Sequence, residues 1–218
     1  MTGYIMGNSM NEHINKPVTI RPASTGVPRE WTCPAGFRID KRWFDRSSSI
    51  HGKAHTLRVM IHARWLIVRL KEFAEVADTL LERDLLTAAL IHDMGRRSDG
   101  GCTEHGRWAR EGKRHVAELF AGSLDDEAWD RIGRAVEAHS RDDPSNGFPS
   151  GGLTALLKDA DALDRVRLGK DPNPRYFRHT FTRERVDQAW RLMEIDEEDL
   201  EASLFGCRVD APGAEEEA

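Results

Sequence analysis

The segment AALIHDMGR, residues 88–96, sets His92 and Asp93 side by side within an apolar run. An ionisable pair in that setting reads in two ways. It is a hydrogen-bonded couple without chemistry, or it is half of a metal site, because neutral imidazole and carboxylate are common ligands of divalent metals. Other segments carry the same residue types along apolar stripes. Trp129, Ile132 and Val136 lead to His139, and the stripe of Trp108, Gly112 and Val116 extends backward to His105. Leu153, Leu157 and Ala160 share their side with Asp161 and Asp164, whereas Asp159 points elsewhere. His51, His55 and His62 fall within a narrow arc of one helix, since their spacings are close to whole numbers of turns. Singly, each inward histidine is most simply a hydrogen-bonded core residue. Together they are costly to bury unless something offsets their polarity. A divalent metal does so directly.

The elements that must position these residues are helical. Residues 53–70 carry Leu57, Met60, Ile61, Leu66 and Leu70, and residues 72–82 continue in the same style. The stretch DLLTAALIHDM starts at a cap, Asp84, is apolar on nearly every side and stops at Gly95, which predicts a central buried helix. Further helices are expected over 104–120, 124–139, 153–164 and 183–193. Ser123, three residues before Asp126, resembles a capping box. No stretch alternates with period two, and no internal repeat is evident. The expected class is all-α. Residues 1–40, with Pro17, Pro22, Pro28 and Pro34, read as an irregular arm. Residues 41–200 read as the helical domain, and 201–218, ending DAPGAEEEA, as a flexible acidic tail.

Composition narrows the function classes. A chain of 218 residues suits one domain, and 39% hydrophobic residues can supply its core. A net charge of −5 argues against a large nucleic-acid footprint. Three scattered cysteines, Cys33, Cys102 and Cys207, form no CxxC pair and point to a reducing setting. No apolar run has the length of a membrane span, and the N-terminus lacks a signal-peptide layout. The expectation is a cytoplasmic protein without a membrane partner; a homodimer is left open.

HGKAHTLRV at 51–59, AALIHDMGR at 88–96 and LLKDADALDRVRLG at 156–169, in that order, resemble the HD superfamily of metal-dependent phosphohydrolases. EHG at 104–106 and AVEAHS at 135–140 extend the match. The resemblance covers about residues 47–170 and implies an all-helical bundle, as the periodicity does. By position it implies that His55, His92, Asp93 and Asp161 ligate one metal. It implies that His105 and His139 serve a second metal or a substrate phosphate, with one ion or two both open. His51 would orient a phosphate or support a ligand. His62 has no role in the family pattern and is expected to be packed or partly exposed; His13, His115 and His179 are expected on the surface. Gly95 and Arg96 follow the pair where branches acting on deoxynucleoside monophosphates or the stringent-response alarmone place carboxylates, so those general acids do not carry over. The chain also lacks the GYP segment of cyclic di-guanylate phosphodiesterases.

Phosphoryl transfer needs charge stabilisation beside metal-activated water. Asp93 would be ligand and neighbour of that water. Arg96 and Arg58 are candidate cations for substrate, with a structural salt bridge the alternative for Arg58. A further source is residues 165–185, with seven Lys or Arg against two Asp or Glu. Arg165 and Arg167 open that segment, directly after Asp164, itself a candidate catalytic base or arginine partner. The expected substrate is a small phosphate ester, a nucleotide among the candidates. The expected metal is manganese, iron, cobalt, nickel or zinc. The competing readings are a mixed-valent di-iron oxygenase on the same scaffold and a nuclease or non-catalytic domain.

Overall fold

The computed structural model describes residues 37–44, 50–73, 79–97, 99, 101–121, 124–148 and 152–205. Among these no strand occurs, and the all-α expectation holds. The helices are α1 (Lys53–Phe73), α2 (Thr79–Ile91), α3 (His105–Gly112), α4 (Arg114–Ala121), α5 (Asp126–His139), α6 (Leu153–Leu163), α7 (Val186–Leu192) and α8 (Glu197–Phe205). Short 3-10 helices cover Asp164–Leu168, Pro174–Tyr176 and Thr180–Arg185 between α6 and α7.

α2 is the centre of the bundle. It packs against α1, α4, α5 and α6. Every residue from Asp84 to Ile91 is buried, so this half of the helix turns no side to solvent. That is why its sequence shows almost no polar stripe. α1 packs on α2 and α6 through Leu57, Met60 and Leu66, while α3 lies on α5. α8 covers α1 from outside.

Several boundaries differ from those expected, each for a local reason. Asp84 is not a cap: α2 starts at Thr79, and Asp84 is a buried carboxylate paired with Arg83 at 2.8 Å and with Arg131 of α5 at 3.0 Å. Helix 104–120 is two helices, broken at Lys113 after Gly112, a poor helix former. In consequence Leu119 is exposed, and the buried face of α3 is His105, Gly106 and Ala109. The N-cap of α5 is Asp125, whose carboxylate accepts from the Ala128 N–H at 2.7 Å; Ser123 lies outside the described residues. α8 runs through the boundary drawn at residue 201. Glu201 is buried there, accepting from the Ile39 N–H at 2.7 Å and pairing with Lys53 at 2.8 Å. Ile39 and Glu201 therefore belong to the packed domain and not to an arm or a tail. Residues 1–36 and 206–218 lie outside the described residues.

The turn after α2 is the feature that matters for chemistry. Ile91 ends the helix, and residues 92–95 form the turn that closes it. Gly95 adopts φ +78°, a left-handed position that glycine tolerates, and its N–H donates to the Trp43 carbonyl at 3.2 Å. His92 and Asp93 thus stand at the end of the central helix, near the N-terminal turns of α1 and α3 and the C-terminal turns of α5 and α6.

The α3–α5 contact has almost no spare space. A Cβ on Gly106 would stand 2.2 Å from the Val136 carbonyl oxygen, a backbone atom that cannot yield. Gly106→Ala is expected to destabilise the protein by about 1–3 kcal/mol by overpacking and to part His105 from His139. Thermal denaturation with a metal titration checks both effects; an unchanged melt would show that the helices are free to separate.

Candidate metal centre

Six helical or turn positions deliver the centre. His55 comes from the first turns of α1, and His92 and Asp93 from the turn after α2. His105 opens α3, His139 closes α5, and Asp161 lies in the last turn of α6. All but Asp161 are buried; the Asp161 side chain keeps 30% of its exposure and marks the open side.

Each imidazole is oriented by its Nδ1. His92 donates to the Ala89 carbonyl at 2.7 Å, His105 to the Cys102 carbonyl at 2.5 Å and His139 to the Val136 carbonyl at 2.5 Å. A carbonyl only accepts, so these three Nδ1 atoms carry protons. His55 Nδ1 meets Asp164 Oδ2 at 2.7 Å. The four Nε2 atoms then turn inward. His55 Nε2 lies 3.1 Å from His92 Nε2, and His105 Nε2 lies 3.1 Å from His139 Nε2.

Asp93 stands between the two histidine pairs. Its Oδ2 is 3.5 Å from His55 Nε2 and 3.9 Å from His92 Nε2. Its Oδ1 is 3.3 Å from His105 Nε2 and 3.8 Å from His139 Nε2. Asp161 Oδ1 adds a further oxygen 3.5 Å from His55 Nε2. His51 Nδ1 reaches Asp93 Oδ2 at 2.8 Å, and Arg96 reaches Asp93 Oδ1 at 3.2 Å.

This donor set fits a metal. A neutral imidazole with its proton on Nδ1 has only a lone pair at Nε2. Two such lone pairs at 3.1 Å, as at His105 and His139, repel unless a cation lies between them. Nitrogens each about 2.1 Å from one metal, at angles between tetrahedral and right-angled, stand about 3.0–3.4 Å apart, and both histidine pairs match. The groups His55–His92–Asp161 and His92–Asp93–His139 each bring three donor atoms within 4.8 Å of one another.

For His92 and His105 the protonation states agree with ligation. Burial pushes His92 down to about 3, and burial together with His139 pushes His105 down to about 4, so both are neutral near pH 7. Burial alone would raise Asp93 and Asp161. For Asp93 the neighbouring imidazoles, His92 foremost, overcome burial and hold it well below the usual carboxylate range. For Asp161 the charges of His55 and Arg167 do the same. His55 is drawn the other way: burial and Arg167 press it down, but its bonds to Asp164 and Asp93 raise it overall.

A supporting layer lies behind His55. Asp164 is fully buried, bonded to His55 on one oxygen and to Arg58 Nε at 2.6 Å on the other. Such a carboxylate fixes the imidazole's tautomer and raises its basicity. Asp164 therefore touches the centre through His55 and is also an arginine partner, one of the two readings its place in the sequence allowed. Arg58 is buried and pairs with that carboxylate, the structural salt bridge that was the alternative to a substrate contact. Arg165 is exposed on the 3-10 helix and makes no contact with the centre. Arg167 is buried against the cluster, with its NH1 donating to the Asp164 carbonyl at 3.0 Å.

The remaining histidines divide. His51 precedes α1 and is not on the helical arc expected for it, yet it reaches Asp93 from the preceding bend. His115 is exposed, and His13 lies outside the described residues. His179 is buried, against expectation. Its backbone N–H and Nδ1 both meet Asp159, which also accepts from the Arg178 N–H and the Thr182 hydroxyl at 2.7 Å each. Asp159 does point away from the centre, and it pins residues 178–182 to α6. Nothing in one-dimensional spacing marks that partnership.

An all-helical domain with a buried His–Asp centre defines the class of protein. A family comparison matches the HD domain over residues 53–166, just over half of the chain. The chain belongs to the HD-domain family, whose members are mostly metal-dependent hydrolases that bind divalent metals. No curated protein and no solved structure matches it. Among the described residues no helix is long and apolar enough to cross a membrane.

His62 lies two turns beyond His55 on α1, fully buried, and neither ring nitrogen has a hydrogen-bond partner. Burial lowers it to about 3. A depressed histidine favours the unfolded state once the free imidazole takes up a proton. Stability is therefore expected to fall as pH drops below about 6.5, by up to about 1.4 kcal/mol per unit from this group, until pH nears 3. His62→Phe should flatten part of that acid limb in urea melts at pH 7, 6 and 5; an unchanged slope would place the linkage elsewhere.

Proposed function

We propose that this protein is a metal-dependent phosphohydrolase that cleaves a small phosphate ester, with a nucleotide among the candidate substrates. The observation that carries the reading is the place of Asp93. One carboxylate lies between two imidazole pairs, so that each oxygen faces a separate set of nitrogens. His55, His92, Asp161 and Asp93 Oδ2 would hold one divalent ion, and His105, His139 and Asp93 Oδ1 a second. Manganese, iron, cobalt, nickel and zinc all suit such nitrogen and oxygen donors. A bound ion supplies an acidified water and a charge that polarises a phosphoryl oxygen.

The chain's own groups do the rest. Asp93 keeps its negative charge between the two sets and orients them. His51 donates to its Oδ2 and holds the carboxylate plane. Asp164, anchored by Arg58, fixes His55. Arg96 sits beside Asp93 Oδ1 with only 11% side-chain exposure, where its charge would neutralise an incoming phosphate. The apolar residues of α2 keep bulk water from the inner faces of the ligands.

Elemental analysis of protein purified without chelator, with a panel of phosphomonoesters, nucleotides and cyclic dinucleotides, tests this reading. His92→Ala and Asp93→Ala are each expected to lose metal and turnover together. Full metal and full activity in either variant would remove the assignment. Arg96→Ala should mainly raise KM for phosphate esters with kcat less affected. The six-donor set also suits a mixed-valent di-iron oxygenase; a mixed-valent electron paramagnetic resonance signal from the iron-loaded protein would replace hydrolysis with that reading.

A further inference from the structure

Asp161, Asp164 and Arg167 follow one another at steps of three, across the end of α6 and into the 3-10 helix Asp164–Leu168. A 3-10 helix has three residues per turn, so residues three apart eclipse. The same edge of the chain therefore carries a metal-centre carboxylate, the carboxylate that orients His55, and a guanidinium. That guanidinium is unusual in its bonding. Only NH1 has an ordinary acceptor, the Asp164 carbonyl. The Nε–H is buried and has no partner at all. NH2 meets only His51 Nδ1 at 3.5 Å, and that nitrogen already faces Asp93 Oδ2 at 2.8 Å. A nitrogen that gives its proton to Asp93 has no lone pair for Arg167.

A buried cation with two unused donors is costly unless a ligand takes them. The side chain is only 6% exposed, yet it stands next to Asp161, the one ligand that opens to solvent at 30%. Its charge acts on Asp161 and His55. Nε–H and NH2 of one guanidinium form a parallel fork that matches two oxygens of a tetrahedral oxyanion.

We infer that Arg167 is the anion receptor of this centre, gripping two non-bridging oxygens of a phosphate group through Nε and NH2 at the mouth formed by Asp161 and His51. The inference takes its location from the proposed metal centre, but it does not require that hydrolysis follows. It gives the two cations of the site different places: Arg96 lies on the Asp93 Oδ1 side, and Arg167 lies on the Oδ2 side. A substrate phosphate entering past Asp161 meets Arg167 first.

The test titrates the full chain, as purified and with its metal content measured, with inorganic phosphate by calorimetry. Arg167→Ala and Arg167→Gln are expected to weaken phosphate binding at least about tenfold, the scale of a lost charge-assisted fork, with metal content unchanged. Arg175→Ala, at an exposed position of the same basic segment, should bind phosphate as the parent does. Within the unsubstituted protein, the Arg167 Nε–H resonance should move on phosphate addition and not on addition of sodium chloride. That measurement keeps the test decisive should the variants misfold. Phosphate affinity that survives loss of Arg167, metal lost in step with phosphate, an Nε–H that does not respond, or no phosphate binding by the parent would each overturn the inference. Phosphate bound through Arg167 with no ester hydrolysed would remove the proposed reaction and leave the receptor standing.

Discussion

The structure depends on keeping one carboxylate ionised inside a helical core. Asp93 is 2% exposed, and its charge is tolerated because imidazole nitrogens and the Arg96 guanidinium surround it on both oxygens. Moving such a charge from water into an apolar interior without partners would cost many kcal/mol. The bundle is arranged to prevent that. α1, α3 and α5 each bring a histidine to it, from helix ends or first turns where a side chain can reach across to the end of α2. The apolar sides of α2 lie behind the cluster, and of the six residues gathered there Asp161 alone is not buried.

Orientation is as important as proximity. Three of the four inward histidines are locked by nearby backbone, each Nδ1 donating to a carbonyl three residues earlier in the chain. The fourth, His55, turns its Nδ1 to Asp164 instead. That carboxylate pairs with Arg58 in turn, so a buried ion pair is part of the cost of placing one histidine. The close α3–α5 contact at Gly106 belongs to the same arrangement, because it sets the distance between His105 and His139.

Much of this was legible in the sequence, and the reason differs from residue to residue. His139 and Asp161 declared themselves by continuing apolar stripes. Gly95 marked the end of α2 because only a residue free to adopt positive φ closes that turn cheaply. Other residues were misread because their partners are distant in the chain. Asp84 has the composition of a cap, but Arg131, forty-seven residues later, holds it inside the helix. His179 reads as a surface histidine until Asp159 is placed against it. For Arg58 and Asp164 the sequence left a salt bridge open beside a direct role, and the structure pairs them with one another. Glu201 has the composition of an acidic tail, yet it anchors the chain before α1.

By itself the sequence determined the helical class, the central apolar helix, the ordered His and Asp segments, and so the family. Those properties rest on local periodicity and on residue types at short range. Only the tertiary structure decided which oxygen of Asp93 faces which histidines, which arginines are spent on internal pairs, and where the centre opens. Each of these is fixed by side chains from different helices competing for the same few donors and acceptors, and that competition exists only once the helices are packed.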